Sequence, residues 1–346
     1  AGGHEWFSHS LSPLPAATDP FRVVVGGPAC KRPYEMSLLN VSAMSFGALS
    51  ANAIRALNMG AKMGGFIHDT GEGGLSDYHL ENGGDIVWEI GTAYFGCRTK
   101  DGKFDPEMFR AKVNVDNVKC VSIKLSQGAK PGLGGVMPGA KVTPEIARIR
   151  GVPVGEKCVS PSHHTTFSTP RGLIKWLDEL RTLSGGRPTG FKLCIGRKSE
   201  FLALCKAMID MEIYPDFIIV DGSEGGTGAA PLEFEDRVGT PLTEGLIFVQ
   251  NALVGCGLRD MIRIGVSGKI TSGFTMARAM ALGADYCNSA RGMMFALGCI
   301  QAKRCHTNNC PVGVATQDPL RAKALVVEDK AQRVYHYQQN TVASFN

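Results

Sequence analysis

No stretch of this 346-residue chain is apolar enough to span a bilayer. The most hydrophobic run, 244–258, is broken by Glu244, Gln250 and Asn251, well short of the roughly 18–20 apolar residues a membrane helix needs. No secretory leader opens the sequence, because Ala1–Trp6 is polar and no early apolar segment follows; a cytoplasmic location is expected. There is no initiator methionine, as in a fragment or a processed product. Charge of one sign is scarce: 37 Lys and Arg against 32 Asp and Glu leave a net +5, and the basic residues are scattered among acidic ones. Nucleic acid is therefore not expected as a partner. No G-x-G-x-x-G fingerprint follows an early strand, which speaks against a dinucleotide fold. The 11 cysteines are an odd number in a long chain, unlike the disulfide framework of a short secreted domain, so free thiols or a metal site are expected. Hydrophobic residues at 44% and charged residues at 20% exclude a disordered chain.

Glycine, by contrast, is abundant: 43 residues, clustered at 71–74, 132–135, 225–228 and 265–273 between apolar runs. Such clusters mark loops where backbone passes close to a ligand. The recurring unit is a β-rich run, a Gly/Ser/Thr turn and a helix-like stretch. Candidate strands are 39–44, 65–70, 86–90, 120–125, 191–195, 217–220, 262–266 and 286–290, with helices over 50–63, 105–112, 198–211, 272–283 and 292–302. Ser50 is a plausible N-cap for the first helix. Continuous runs such as FIIV at 217–220 fit parallel strands buried on both faces. Eight strands over about 38–300 match a (β/α)8 TIM barrel better than an open doubly wound sheet, since glycine runs follow many strands rather than one or two. The whole of 1–346 reads as one domain, with 1–37 and 303–346 as extensions and the proline-rich 126–170 as an excursion over the site.

Three local patterns carry chemistry. Cys299, Cys305 and Cys310 stand as C-x5-C-x4-C, followed by Pro311 and Gly313. Three thiolates so spaced suit an iron–sulfur cluster, while His306 could complete a tetrahedral zinc site; cluster, zinc and free thiols all stay open on spacing alone. Next, the turns after two late strands, Gly265–Gly268 and Ser289–Gly292, read as a phosphate cradle, with Gly268 and Gly292 admitting backbone N–H groups and Arg291 adding charge. Finally, Lys124, Gln127 and Lys130 lie at one strand end, and Lys192 sits inside an apolar strand. A buried lysine needs a partner: a carboxylate, with Asp221 on the neighbouring strand end the candidate, or an electron-rich ligand such as a flavin ring. Asp69, Glu72 and Glu224 are further available acids, and His163-His164 suits a loop better than a metal pair.

Together SAMSFGALS (42–50), DTGEGG (69–74), KLSQGAKPGLGG (124–135), EGGTGAAP (224–231) and CIQAKRCHTNNCPVGVATQD (299–318) closely resemble the FMN-binding synthase domain of glutamate synthase, nearest to its stand-alone glutamate-synthase-like forms. The resemblance implies a TIM barrel holding FMN, with a three-iron cluster (3Fe-4S) on Cys299, Cys305 and Cys310. It implies that reduced FMN passes a hydride to 2-iminoglutarate, formed from 2-oxoglutarate and ammonia. Met44, Ser45, Lys192, Asp221, Gly225, Gly226, Thr227, Gly268, Ala290, Arg291 and Gly292 would bind the flavin, Lys192 at its N1/O2 edge. Lys124, Gln127 and Lys130 would bind substrate, with Glu72, Gln127 and Lys192 in the chemistry; two cationic side chains suit a dicarboxylate. Implied partners are an electron-donor protein or reductase subunit and a separate amidotransferase subunit, since the chain begins Ala1-Gly2-Gly3 rather than with a nucleophilic cysteine. Two motifs depart from the family: Ser223-Glu224 replaces a His-Asp pair, and Val266-Ser267-Gly268 replaces Asp-Gly-Gly. The alternatives are a flavin and iron–sulfur oxidoreductase for another amine or 2-oxo acid, or a non-catalytic electron-transfer subunit.

Overall fold

The period-two alternation of side chains along eight short strands builds a closed parallel barrel. In the computed structural model, which describes residues 5–15, 21–226, 228, 230–231 and 233–345, the strands run in chain order as follows. They are β1 (Arg22–Val25), β2 (Tyr34–Ser37), β3 (Leu39–Val41), β4 (His68–Asp69), β5 (Ile86–Ile90), β6 (Val118–Lys124), β7 (Val136–Met137), β8 (Cys158–Val159), β9 (Thr189–Leu193), β10 (Phe217–Asp221), β11 (Arg263–Ser267) and β12 (Tyr286–Ser289). The barrel closes in the order β10-β11-β12-β3-β4-β5-β6-β9. The expected TIM barrel is therefore the fold, and the doubly wound sheet is not. The helices are α1 (Ala51–Gly64), α2 (Asp77–Leu80), α3 (Pro106–Val113), α4 (Pro144–Arg150), α5 (Pro170–Leu183), α6 (Lys198–Met211), α7 (Leu242–Gly255), α8 (Gly273–Ala281), α9 (Arg291–Leu297), α10 (Pro319–Ala322) and α11 (Val327–Ala343). None of the described helices is long and apolar enough to cross a membrane.

FIIV shows how one strand serves two cores. Ile218 and Val220 pack outward with Leu246 and Val249 of α7, while Phe217 and Ile219 join Val87, Cys120 and Tyr286 inside the barrel. Each such fully buried side chain contributes about 1.5–3 kcal/mol of transfer free energy. Gly265 is needed inside: a Cβ there would overlap the Tyr286 ring. The interior is thus apolar at its lower end, and the charged residues Glu89, Lys124, Lys192 and Asp221 gather at the C-terminal strand ends.

Several segments differ from the sequence expectations. Residues 1–37 contain the antiparallel hairpin β1–β2, whose Val25 and Met36 plug the lower mouth against the interior cluster. The excursion 126–170 carries the hairpin β7–β8 and helix α4. The helix expected over 292–302 ends at Leu297, because Gly298 takes a left-handed φ of 99°. The C-terminal extension is built into the shell: Val334 of α11 packs on Gly60 of α1, where a Cβ would stand 2.7 Å from Val334 Cγ1. Ser50 does cap α1, its side chain accepting from Ala53 N.

Candidate active site

A cavity of about 260 Å³ opens at the C-terminal strand ends. Five strands aim a polar side chain into it: Glu89 from β5, Lys124 from β6, Lys192 from β9, Asp221 from β10 and Ser267 from β11. The loops beyond add Met44, Ser45, Glu72, Gln127, Lys130, Gly225, Gly226, Gly268, Ala290 and Arg291. Nearly every residue expected at the site is therefore on one wall of one cavity. Cys299 and Cys310 do not line it, and neither does Gly292, which is buried in α9 against the Tyr337 hydroxyl. Thr227 lies outside the described residues.

Sequence reasoning missed four charged lining residues, Glu89, Lys141, Arg150 and Lys269. Glu89 carried the same signal as Lys192, a charge inside an apolar strand. Lys141 and Arg150 carried none, because the excursion's path over the barrel is set by tertiary packing. With them, seven cations (Lys124, Lys130, Lys141, Arg150, Lys192, Lys269, Arg291) face three carboxylates (Glu72, Glu89, Asp221); Lys269 is paired with Asp236 at 3.0 Å, outside the lining, which leaves an excess of three positive charges in one cavity. Burying unpaired charge is costly, so this excess is matched to an anionic occupant.

Lys124 Nζ donates to Glu72 Oε1 and to Gln127 Oε1, each at 2.8 Å. Burial alone would push the Glu72 carboxyl up; the Lys124 ammonium, its hydrogen bond and the Arg150 guanidinium outweigh it and hold Glu72 below its ordinary value. Arg150 Nη2 donates to Phe46 O at 3.1 Å, its guanidinium lies 4.9 Å over the Phe95 ring, and its Nε is buried without a partner among the described residues. Lys130 is 2% exposed, and its ammonium makes no hydrogen bond or ion pair among the described residues. Burial lowers its pKa, against the pull of Glu72. Lys141 donates to Ala48 O at 2.9 Å, and burial pushes it down to about 8 despite Cys305 and Cys310.

Lys192 is paired, but not with the expected Asp221: its ammonium contacts Glu89. Burial would lower its pKa, yet Glu89, Asp69 and Asp221 more than reverse this, so it stays charged. Asp221 is occupied elsewhere, accepting from Gly128 N at 2.7 Å and Ser267 Oγ at 2.6 Å. It pins the KLSQG loop to β11. Glu224 caps α7, accepting from Leu242 N at 2.9 Å.

At the opposite end, Gly268 has a φ of 137° and the next residue, Lys269, a left-handed φ of 54°. A Cβ at Gly226 would stand 2.5 Å from Arg291 Nη2. Bare backbone and two cations thus meet there, a donor set that fits a phosphate. Close backbone approach recurs between the loops after β3 and β4: a Cβ at Gly71 would lie 2.7 Å from Ser45 N.

The cysteine loop touches the same cavity through Cys305 and His306. A Cβ at Gly228 would lie 2.5 Å from Cys305 Cβ, so the glycine run abuts the loop. Gln301, Lys303 and Asn308 all hold left-handed φ angles of 56°, 53° and 66°, strain typical of a functional loop. Cys305 is pushed up by burial and then by Cys299 and Cys310, which places the three thiols near one another. Among the described residues no three Cys, His, Asp or Glu converge as a single-ion site. Three soft thiolates are the donor type an iron–sulfur cluster uses, and His306 beside them leaves zinc open. The tail of the loop is tied to residues 47–50: Gln317 Nε2 donates to Leu49 O at 2.7 Å, and Ser50 Oγ donates to Gly313 O at 2.7 Å.

Comparison with known proteins agrees with this geometry. The "Glutamate synthase large subunit-like protein YerD" of Bacillus subtilis is 46% identical over 316 residues, covering 91% of this chain and 60% of its own length. The archaeal glutamate synthase (NADPH) of Methanocaldococcus jannaschii is 35% identical over 295 residues, 85% of this chain and 54% of its own. The chain thus spans little more than half the length of these relatives. Among solved structures, a mutant flavocytochrome b2 with pyruvate bound covers 94% of this chain and 70% of its own at a TM-score of 0.52 and 12% identity, a likeness of fold alone. The family model for the conserved region in glutamate synthase matches residues 29–344, and the chain belongs to that family.

Proposed function

We propose that this barrel is the flavin-dependent synthase module of a glutamate synthase-type oxidoreductase, aminating 2-oxoglutarate or a similar 2-oxo dicarboxylic acid. The observation that carries the reading is the cavity's excess of three positive charges, split between a glycine-lined end and a lysine-lined end. FMN needs a dianionic phosphate neutralised, and a dicarboxylate brings two further negative charges. Gly225, Gly226, Gly268, Lys269, Ala290 and Arg291 would hold the phosphate, with Met44 and Ser45 against the ring. Bound FMN would supply hydride transfer to a carbon–nitrogen double bond.

The chain's own groups then have distinct work. Lys130 carries an ammonium that the protein leaves unpaired, and it would hold a substrate carboxylate, with the buried Arg150 guanidinium adding positive charge behind it. Lys124, itself anchored on Gln127, holds Glu72 ionised at the same wall, where Glu72 would accept a proton from the nitrogen donor or orient it. Lys192 would present positive charge to the flavin, favouring its reduced anion. Cys299, Cys305 and Cys310 would hold a 3Fe-4S cluster, a one-electron relay from a separate donor protein or reductase subunit. Ammonia would come from free solution or from an amidotransferase subunit.

Heat release and chromatography of the cofactor from purified protein should yield FMN; FAD would contradict the single phosphate cradle. Reduced protein should be reoxidised, without oxygen, by 2-oxoglutarate plus ammonia and not by either alone. Failure of every 2-oxo acid to reoxidise it would leave the electron-transfer alternative standing.

A further inference from the structure

Glu89 and Lys192 are both buried, at 1% and 5% exposure, and they meet across the barrel interior. They do not lie on adjacent strands. Glu89 is in register with Ser122 of β6, and Ser122 with Gly190 of β9. Lys192 therefore stands one layer higher than Glu89 and reaches over an intervening strand to contact it. The layer it crosses holds two of the smallest side chains, Ser122 and Gly190. At Gly190 a Cβ would overlap the Phe217 carbonyl oxygen.

A third carboxyl shares the neighbourhood. Asp69 of β4 is 3% exposed and accepts from Gly71 N at 2.9 Å. Burial first, and then the charge of Glu89, push its carboxyl up to about 8. Asp221 has both oxygens engaged by Gly128 and Ser267. Glu89 is thus the one carboxylate that contacts the Lys192 ammonium among the described residues.

We propose that Glu89 is a positioning residue for the flavin chemistry: it fixes the Lys192 ammonium in the barrel mouth and offsets part of its charge, so that the pair, not the lysine alone, sets the flavin's reduction potential. This rests on the reading that FMN occupies the cavity with Lys192 facing it. Without Glu89 the lysine would over-stabilise reduced flavin and slow hydride departure. Without Lys192 the reduced form would lose its counter-charge.

Redox titration of the flavin in intact protein tests this with four forms. Glu89→Gln removes the negative charge while its amide oxygen still accepts from Lys192. The reduced-to-oxidised ratio at fixed potential should rise about tenfold, which is roughly 30 mV for a two-electron couple. Glu89→Asp, withdrawing the carboxylate by one methylene, should fall between wild type and Glu89→Gln. Lys192→Met should shift the potential the opposite way, and the double variant should match Lys192→Met. A lowered potential in Lys192→Met with no shift in either Glu89 variant overturns the role of Glu89 and leaves the flavin reading intact. No shift in Lys192→Met overturns both. A fall in melting temperature without a change in potential marks a purely structural pair and also overturns the inference.

Discussion

Replacing Lys130 by Met should stabilise the free protein and weaken its hold on substrate together. The lysine is 2% exposed and lines the cavity, and its ammonium has no hydrogen-bond or ion-pair partner among the described residues. A polar group buried without a partner costs about 1–3 kcal/mol in proteins. The lower end applies here, since the residue lines an open cavity. Methionine keeps much of the stem's volume, so the substrate-free variant should be more stable by about 1 kcal/mol, and its melting point should rise slightly. Binding changes in the other direction. A hydrogen bond from a charged donor contributes about 1.5–3 kcal/mol, so the apparent KM for 2-oxoglutarate should rise about 10–150-fold. The pH dependence has a definite sign. Burial lowers the Lys130 pKa. Between that lowered value and the ordinary lysine range the unfolded chain binds more protons than the folded one, so wild-type stability rises with pH there. The stability gap between variant and wild type should therefore narrow toward high pH. Thermal melts from neutral to alkaline pH, paired with substrate-dependent flavin reoxidation, read both effects. A variant less stable than wild type, with unchanged affinity, would refute the reasoning.

Cys305→Ser should remove iron, acid-labile sulfide and the paramagnetic signal of an oxidised three-iron cluster while FMN stays bound; full iron content in the variant, or stoichiometric zinc in the wild type, would contradict the cluster. Glu224→Ala should cost about 1 kcal/mol by uncapping α7, seen as a lower melting temperature with flavin content kept, because both its oxygens lie within hydrogen-bonding distance of Leu242 N. Loss of flavin without loss of stability would assign Glu224 to the cofactor instead.

Much of this architecture could be read from the residues because the relevant signals are local. FIIV, the glycine after Ser267 and the lysine inside FKLCIG each announce their place through neighbours a few positions away. The cysteine spacing and its CPVGVATQD tail did the same. What stayed hidden depends on distant pairings. Lys192 and Glu89 are 103 positions apart, so the choice between Glu89 and Asp221 was decided by strand register, not by spacing. Lys141 and Arg150 look like ordinary surface cations until α4 is folded over the mouth. Gly292 carried the pattern of a phosphate turn, yet its Cα faces Tyr337 of α11, a helix that lies beyond the expected barrel. Glu224, one of the two residues that depart from the family's His-Asp pair, serves the cap on α7, a partner 18 positions away.

The docking of α11 on α1 sets an order of events during synthesis. Ala53, Ile54, Ala56, Leu57, Asn58, Gly60 and Ala61 of α1 are all buried, so the helix is covered on more than one side. Its partner on the Gly60 side is the last helix, and Gln338 of that helix donates to Leu39 O at the start of the barrel. The free edge of β3 is likewise sealed only by β12. At a ribosomal rate of about 5–20 residues per second, the first β/α unit waits tens of seconds for the segments that complete it. Throughout that interval a nascent chain presents a bare strand edge and an apolar helix face, and holding it apart from its neighbours falls to the cell's chaperones.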